Sequence, residues 1–153
     1  MIIIEAHALG KILPHSLEAE QSVLGAMLIN QEAINIAIEQ LSPEDFYKEA
    51  NKEIFQAITE LYNRNEPVDL ITLSEELKRR GTLENLGGVS YLASLSGGVA
   101  VSSNIKYYCD IVEEKSILRR LIVSCDEIMA KSYEGSEEVN SIIEQAEKNI
   151  FDI

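Results

Sequence analysis

Thirty residues from Asn104 to Tyr133 run without a proline or glycine, and no other stretch constrains the fold as strongly. That is long for a helix in an ordinary globular domain. Ile111, Leu118, Ile122, Cys125 and Met129 recur at helical spacing in one row, with Leu121 and Ile128 beside it. At about 1.5 Å per residue the helix would extend roughly 45 Å. Gly135 is placed to stop it, Ser136 to cap a following helix, and Glu137 and Glu138 to fill that helix's first turn. The return helix carries Val139, Ile143, Ala146, Ile150 and Ile153, a seam with alternating steps of four and three. Folded back, it makes a helical hairpin. One short return helix cannot cover more than one apolar stripe, so the hairpin is expected to pair with a second copy or with a partner. The seam reaches Ile153 with no capping glycine after it, the pattern expected of a chain that continues.

Thirteen basic residues face 26 acidic ones, a net charge of −13. A field of that sign repels phosphate and favours a basic partner surface over nucleic acid. Cys109 and Cys125 lie on the same helix, roughly 24 Å apart at about 1.5 Å per residue. They cannot form a disulfide or share a metal, and are expected to be small buried hydrophobes in a reducing cytoplasm. Residues 1–8 lack a basic region ahead of their isoleucines, and no segment has the length of a membrane span.

In chain order, residues 1–13 lack a clear period and are expected to be an arm. Ser16 can cap a helix with Leu17, Val23, Leu24, Met27 and Leu28 on its apolar face, and Gly25 within it points to close approach of another helix. Ile34, Ala37, Ile38 and Leu41 mark a second helix, and Ser42-Pro43-Glu44-Asp45 is a helix-start signal. A helix opening at Asn51 has the face Ile54, Phe55, Ile58 and Leu61. Thr72 to Glu75 has the form of a capping box, with Gly81 as C-terminal glycine. Gly87-Gly88 turns into a short helix with Val89, Leu92 and Leu95, and Ser102 or Ser103 caps the long helix. Only residues 68–71 have any strand character. The fold class is therefore all-α: a small globular bundle of about six helices at 14–102, then a long antiparallel helical hairpin at 103–153.

The search for chemistry finds little. Gly10-Lys11 lacks the second glycine and following Ser or Thr of a phosphate loop, and His7 and His15 have no metal-ligand cluster around them. The pairs Glu75-Glu76, Glu113-Glu114 and Glu137-Glu138 diverge by about 100° around a helix and read as solvated faces. No catalytic, cofactor or metal site is expected. A helix-turn-helix-like DNA-binding module spanning Leu70 to Leu95 is the alternative. Its would-be recognition helix has no Lys, Arg, Asn or Gln for base edges, so it ranks second.

Several segments resemble the amino-terminal region of bacterial replicative DNA helicases of the DnaB type. They are Pro14 to Gly25, Glu44-Asp45-Phe46-Tyr47, Glu66 to Leu70, Leu86 to Leu92, Tyr107-Tyr108, Ile111 to Ile122 and Ala146 to Phe151. The resemblance covers about residues 13–153 in collinear order. It departs from the family in stopping before the linker and RecA-like motor domain, so ATP, Mg and unwinding activity are not expected of these residues.

The resemblance implies a non-catalytic domain that pairs through its hairpins, forms a trimer of dimers on a hexamer, and recruits the C-terminal domain of DnaG primase in the cytoplasm. It leaves open whether a helicase loader also docks. Carried over by position, it makes Glu18, Tyr91, Ile122 and Ile128 candidates for primase binding. Tyr108, Ile111, Leu118 and Leu121 are candidates for hairpin dimerisation.

Overall fold

The computed structural model describes residues 12–97 and 104–153. His7, Lys11, most of the 1–13 arm and the expected Ser102 or Ser103 cap lie outside the described residues. Among those described there are seven α-helices, two single 3₁₀ turns and no strand. Two compact units result, one spanning His15–Glu114 and the other containing Lys115–Ile153 together with residues 12–14.

The first unit is organised around α1 (Leu17–Ile29), capped by Ser16, whose side chain accepts from the Ala19 N–H at 3.1 Å. Eight of its residues are buried, Gly25 among them, so α1 is apolar nearly all round and belongs in the middle of the bundle. It packs against α2 (Gln31–Gln40), α3 (Glu49–Asn63) and α5 (Gly88–Gly97). Asn30 caps α2 by accepting from Glu32 N–H at 2.9 Å.

Three local signals resolve differently from their sequence reading. Ser42-Pro43-Glu44-Asp45 starts only the 3₁₀ turn Pro43–Asp45, in which the Asp45 carboxylate accepts from Ser42 N–H at 2.8 Å. The turn delivers Phe46 into the core, 4.9 Å from the Phe55 ring. Helix α4 (Leu70–Arg80) begins ahead of the expected box. Its cap is Asp69, which exchanges hydrogen bonds with Thr72 at 2.9 Å each way, and this removes any strand at 68–71. The local carboxylate outcompetes the threonine as acceptor for the first turn. Helix α3 starts at Glu49 and turns Asn51 inward. Gly81 does close α4 in the left-handed conformation, φ 74°. Among its described residues the globule thus has five α-helices and two 3₁₀ turns, completed by Ile105, Cys109 and Val112 at the start of α6 (Ile105–Glu134).

In the second unit, α6 continues to Gly135, φ 63°, whose N–H donates to Lys131 O at 3.0 Å. The Arg119 guanidinium donates to Pro14 O at 2.8 Å. The return helix α7 (Val139–Phe151) starts after Glu138 rather than after Ser136, whose hydroxyl is engaged with the Glu134 carboxylate. Lys131 donates to Gln145 and lies 3.9 Å from Glu137, tying α7 to α6. The half-buried positions of α7 are Ile142, Ala146 and Asn149, on the side of Gln145, and Ile153 beyond its end is half-buried too. Val139, Ile143 and Ile150 of the expected seam are instead 69%, 51% and 43% exposed. The apolar arc of α7 is two strips wide, one half-buried and the other exposed. Cys125 also departs from its expectation: it is exposed, while Cys109 is buried.

Candidate docking and self-association surfaces

The most constructed polar arrangement in the globule lies under Tyr91. Glu20, in the first turn of α1, is only 1% exposed. Its Oε2 accepts from the Tyr47 N–H at 2.7 Å, and its Oε1 accepts from the Asn51 side-chain amide at 2.8 Å and the Lys48 N–H at 3.4 Å. A buried carboxylate is stable only with such donors around it. Asn51, 0% exposed on α3, in turn accepts from the Tyr91 hydroxyl at 2.6 Å through Oδ1. The Lys48 ammonium stands 4.2 Å from the Tyr91 ring centroid, a cation–π contact. Beside this network the His15 and Tyr47 rings stack at 4.1 Å and 8°.

The resemblance made Tyr91 a docking candidate, and the sequence reading did not include Glu20, Asn51 or Lys48. A signal was available. Glu20 falls in the stripe of Val23, Leu24 and Met27, and Asn51 in that of Ile54, Phe55 and Ile58, where a polar residue must find partners.

The other candidates divide between the units. Glu18 is exposed on α1 and Tyr91 is half-buried on α5, both in the globule. Ile122 and Ile128 are half-buried on the hairpin segment of α6. Of the self-association candidates, Tyr108 and Ile111 pack against the globule's own core and keep part of their surface outside. Leu121 is half-buried and Leu118 is 43% exposed in the hairpin unit. None of the thirteen residues of α7 is buried, and Phe151 and Tyr133 are 89% and 86% exposed.

A second electrostatic centre ties up the basic residues of α4. Glu76, side chain 3% exposed, is held by Arg64 at 2.9 Å, Arg79 at 2.7 Å and Arg80 at 3.0 Å. Arg80 also reaches Glu53 at 3.1 Å and Glu60. The Arg64 hydrogen bond, joined by those from Arg80 and Arg79, outweighs burial and pulls the Glu76 carboxyl down to about 2. Lys78 pairs with Glu75 at 3.3 Å, so all three cations that a DNA-reading unit at Leu70 to Leu95 would present to phosphate, Lys78, Arg79 and Arg80, are engaged by carboxylates of the same chain.

At the junction of α2 and α6, Gln40 donates to Asp110 at 2.7 Å and Glu113 at 2.9 Å, while Lys106 holds the Asp110 carboxyl below its ordinary range. An open groove of about 660 Å³ near the ends of α1 and α3 is lined by Leu28, Asn30, Ile34, Tyr62, Asn65 and Val68 among others. Among the described residues, no group of three or more His, Cys, Asp or Glu side chains could hold a metal, and no helix is long and apolar enough to cross a membrane.

The helical globule with the start of α6 is what a family model described as the DnaB-like helicase N-terminal domain matches, over residues 12–114. The chain belongs to that family. Among curated relatives it is 43% identical over 143 residues to the replicative DNA helicase DnaC of Bacillus subtilis, covering 94% of this chain and 32% of that protein. It is 40% identical to the replicative DNA helicase DnaB of Mycobacterium leprae, covering 94% of this chain and 24% of that one. The chain thus spans a third or less of the length of these relatives, and the matched model is the amino-terminal domain rather than a motor domain.

Among solved structures, the crystal structure of the N-terminal domain of DnaB helicase from Mycobacterium tuberculosis superposes with a TM-score of 0.86 at 39% identity. It covers 93% of this chain and 100% of that one. A DnaB-like replicative helicase described together with its interactions with primase gives a TM-score of 0.71 at 29% identity, covering 90% of this chain and 31% of that one. The all-α amino-terminal domain of a DnaB-type helicase is therefore established for this chain.

Proposed function

We propose that this chain is the non-catalytic assembly and recruitment domain of a replicative DNA helicase. It self-associates through its hairpin, as dimers and as a trimer of dimers in the hexameric ring, and it docks the C-terminal domain of DnaG primase during DNA replication in the cytoplasm. ATP and Mg belong to the motor domain of such helicases and play no part in these residues.

The observation that carries the first half is the hairpin's uncovered apolar surface. Val139, Ile143 and Ile150 on α7 and Leu118 and Met129 on α6 are each at least 43% exposed in a single copy. Such a surface is costly in water and favours burial against an equivalent surface. Support for the second half comes from the family membership and from the structural neighbour described with primase. Glu18, Tyr91, Ile122 and Ile128 remain the residues assigned to primase, and Tyr108, Ile111, Leu118 and Leu121 those assigned to pairing.

Light-scattering mass across a concentration series, with and without the C-terminal domain of DnaG primase, tests both halves. The expected result is a dimer or larger species that gains mass with primase. A monomer at every concentration, unchanged by primase, would overturn the reading.

A further inference from the structure

Tyr91 is held by more groups than its packing alone requires. The two oxygens of Glu20 receive the Tyr47 N–H, the Lys48 N–H and the Asn51 amide. A carboxylate with these donors only accepts, so the Asn51 carboxamide must turn its NH₂ toward Glu20. Its oxygen is then aimed at Tyr91, and the tyrosine hydroxyl is obliged to donate, at 2.6 Å. Both Glu20 and Asn51 are at most 1% exposed, so water does not compete for these bonds.

The ring is fixed from two further directions. The Lys48 ammonium covers one region of it at 4.2 Å. Backbone also approaches it closely, since a Cβ at Gly87, where φ is +112°, would sit 3.0 Å from the Tyr91 Cβ. Tyr91 is nevertheless only half-buried. A half-exposed aromatic with its hydroxyl, its ring and its backbone all constrained is a preorganised anchor, which loses little rotamer freedom on binding.

We infer that Glu20, Asn51 and Lys48 are positioning residues that present the Tyr91 ring in a fixed orientation to the docked primase domain. The inference rests on the reading of the Tyr91 surface as the primase-docking surface. Glu20 sets the amide of Asn51, Asn51 sets the hydroxyl, and Lys48 sets the tilt of the ring. Because all three act through Tyr91, their effects on binding disappear when the tyrosine is gone.

The test is calorimetric titration of the C-terminal domain of DnaG primase into the full chain and into Y91F, N51L, K48M and Y91L, with N51L also combined with Y91F, and N51L and K48M each combined with Y91L. Thermal melts accompany each variant. Y91F and N51L are expected to weaken binding by about 3- to 10-fold each, and the Y91F/N51L double variant by no more than the larger single effect. K48M is expected to cost about 3-fold in the wild-type background and nothing on top of Y91L. A purely structural Asn51 would lower the melting temperature and weaken binding equally in both backgrounds. Y91F leaves the buried Asn51 Oδ1 without its donor, so its binding is read against its own melting temperature in the same way. Wild-type binding that Y91L weakens while Y91F, N51L and K48M leave it intact overturns the inference but keeps the docking reading. Binding that Y91L does not weaken, or no wild-type binding, overturns both.

Discussion

The globule and the hairpin are made of the same residue types and arrive at opposite states. In the globule, α1, α3 and the first turns of α6 converge on a core that includes Val23, Leu24, Phe55, Ile58 and Cys109, each at most 1% exposed. In the hairpin, α7 has five aliphatic positions at helical spacing and buries none of its residues. The difference is one of geometry. Several helices can surround a central one and close over it, whereas two antiparallel helices leave the outer face of each in solvent. A region of the first kind is complete in one copy. One of the second kind is completed by another surface, and the two respond differently to the same chemical change.

The two thiols give the widest expected contrast. With an excess of a thiol reagent, Cys125 should react at once. Cys109, fully buried with its thiol pushed up to about 12 by desolvation, should wait for opening of the globule and react on the order of 1000-fold more slowly. Equal rates would mean that the globule is not closed. Truncating Phe55 to alanine should cost roughly 3–5 kcal/mol of stability in urea denaturation. The matching change at exposed Ile143 should cost under about 0.5 kcal/mol in the dissociated chain and instead weaken self-association.

Glu76→Ala, which strips the shared acceptor from three arginines, should cost roughly 3 kcal/mol. The same carboxyl carries a pH signature. Its folded value of about 2 lies below the ordinary 4.5, so its stabilisation is complete above 4.5 and is lost as the pH falls toward 2. Acid titration of stability in that window should be shallower in the variant, and an unchanged slope would assign the acid sensitivity elsewhere. Asp69→Ala removes the α4 cap and should lower stability by about 1 kcal/mol. Lys131→Met, in the hairpin, removes only exposed polar contacts and should change the thermal midpoint by an amount equivalent to under about 0.5 kcal/mol.

Much of the helical plan was legible because helix periodicity and caps are local. Ser16, Gly81 and Gly135 punctuate the chain where their chemistry says they should. The caps that were misread show the limit of such signals. Thr72 to Glu75 and Asp69 to Thr72 are both capping patterns, and the stronger acceptor Asp69 together with the packing of Leu73 and Leu77 into the core selects the second. Ser42-Pro43 starts a single 3₁₀ turn because Phe46 is drawn into the core against Phe55. The docking candidates came from a resemblance. For the network beneath Tyr91, periodicity marks Glu20 and Asn51 as polar residues in apolar stripes but does not name their partners, and a glutamate in a first turn or an asparagine near a helix start also has an ordinary surface explanation.

By itself the sequence determined an all-α chain, the position of its long glycine- and proline-free helix, the acidic surface and the surplus of apolar positions at the end. These follow from spacing, caps and charge within a few turns of chain. Only the tertiary structure decided that Glu20 and Asn51, 31 residues apart, share a buried hydrogen bond, that Tyr91, 40 residues further on, completes it, and which strip of α7 turns outward. The reason is physical: a local pattern specifies how much apolar or polar surface a helix presents, while the partner that meets it is set by how distant helices pack.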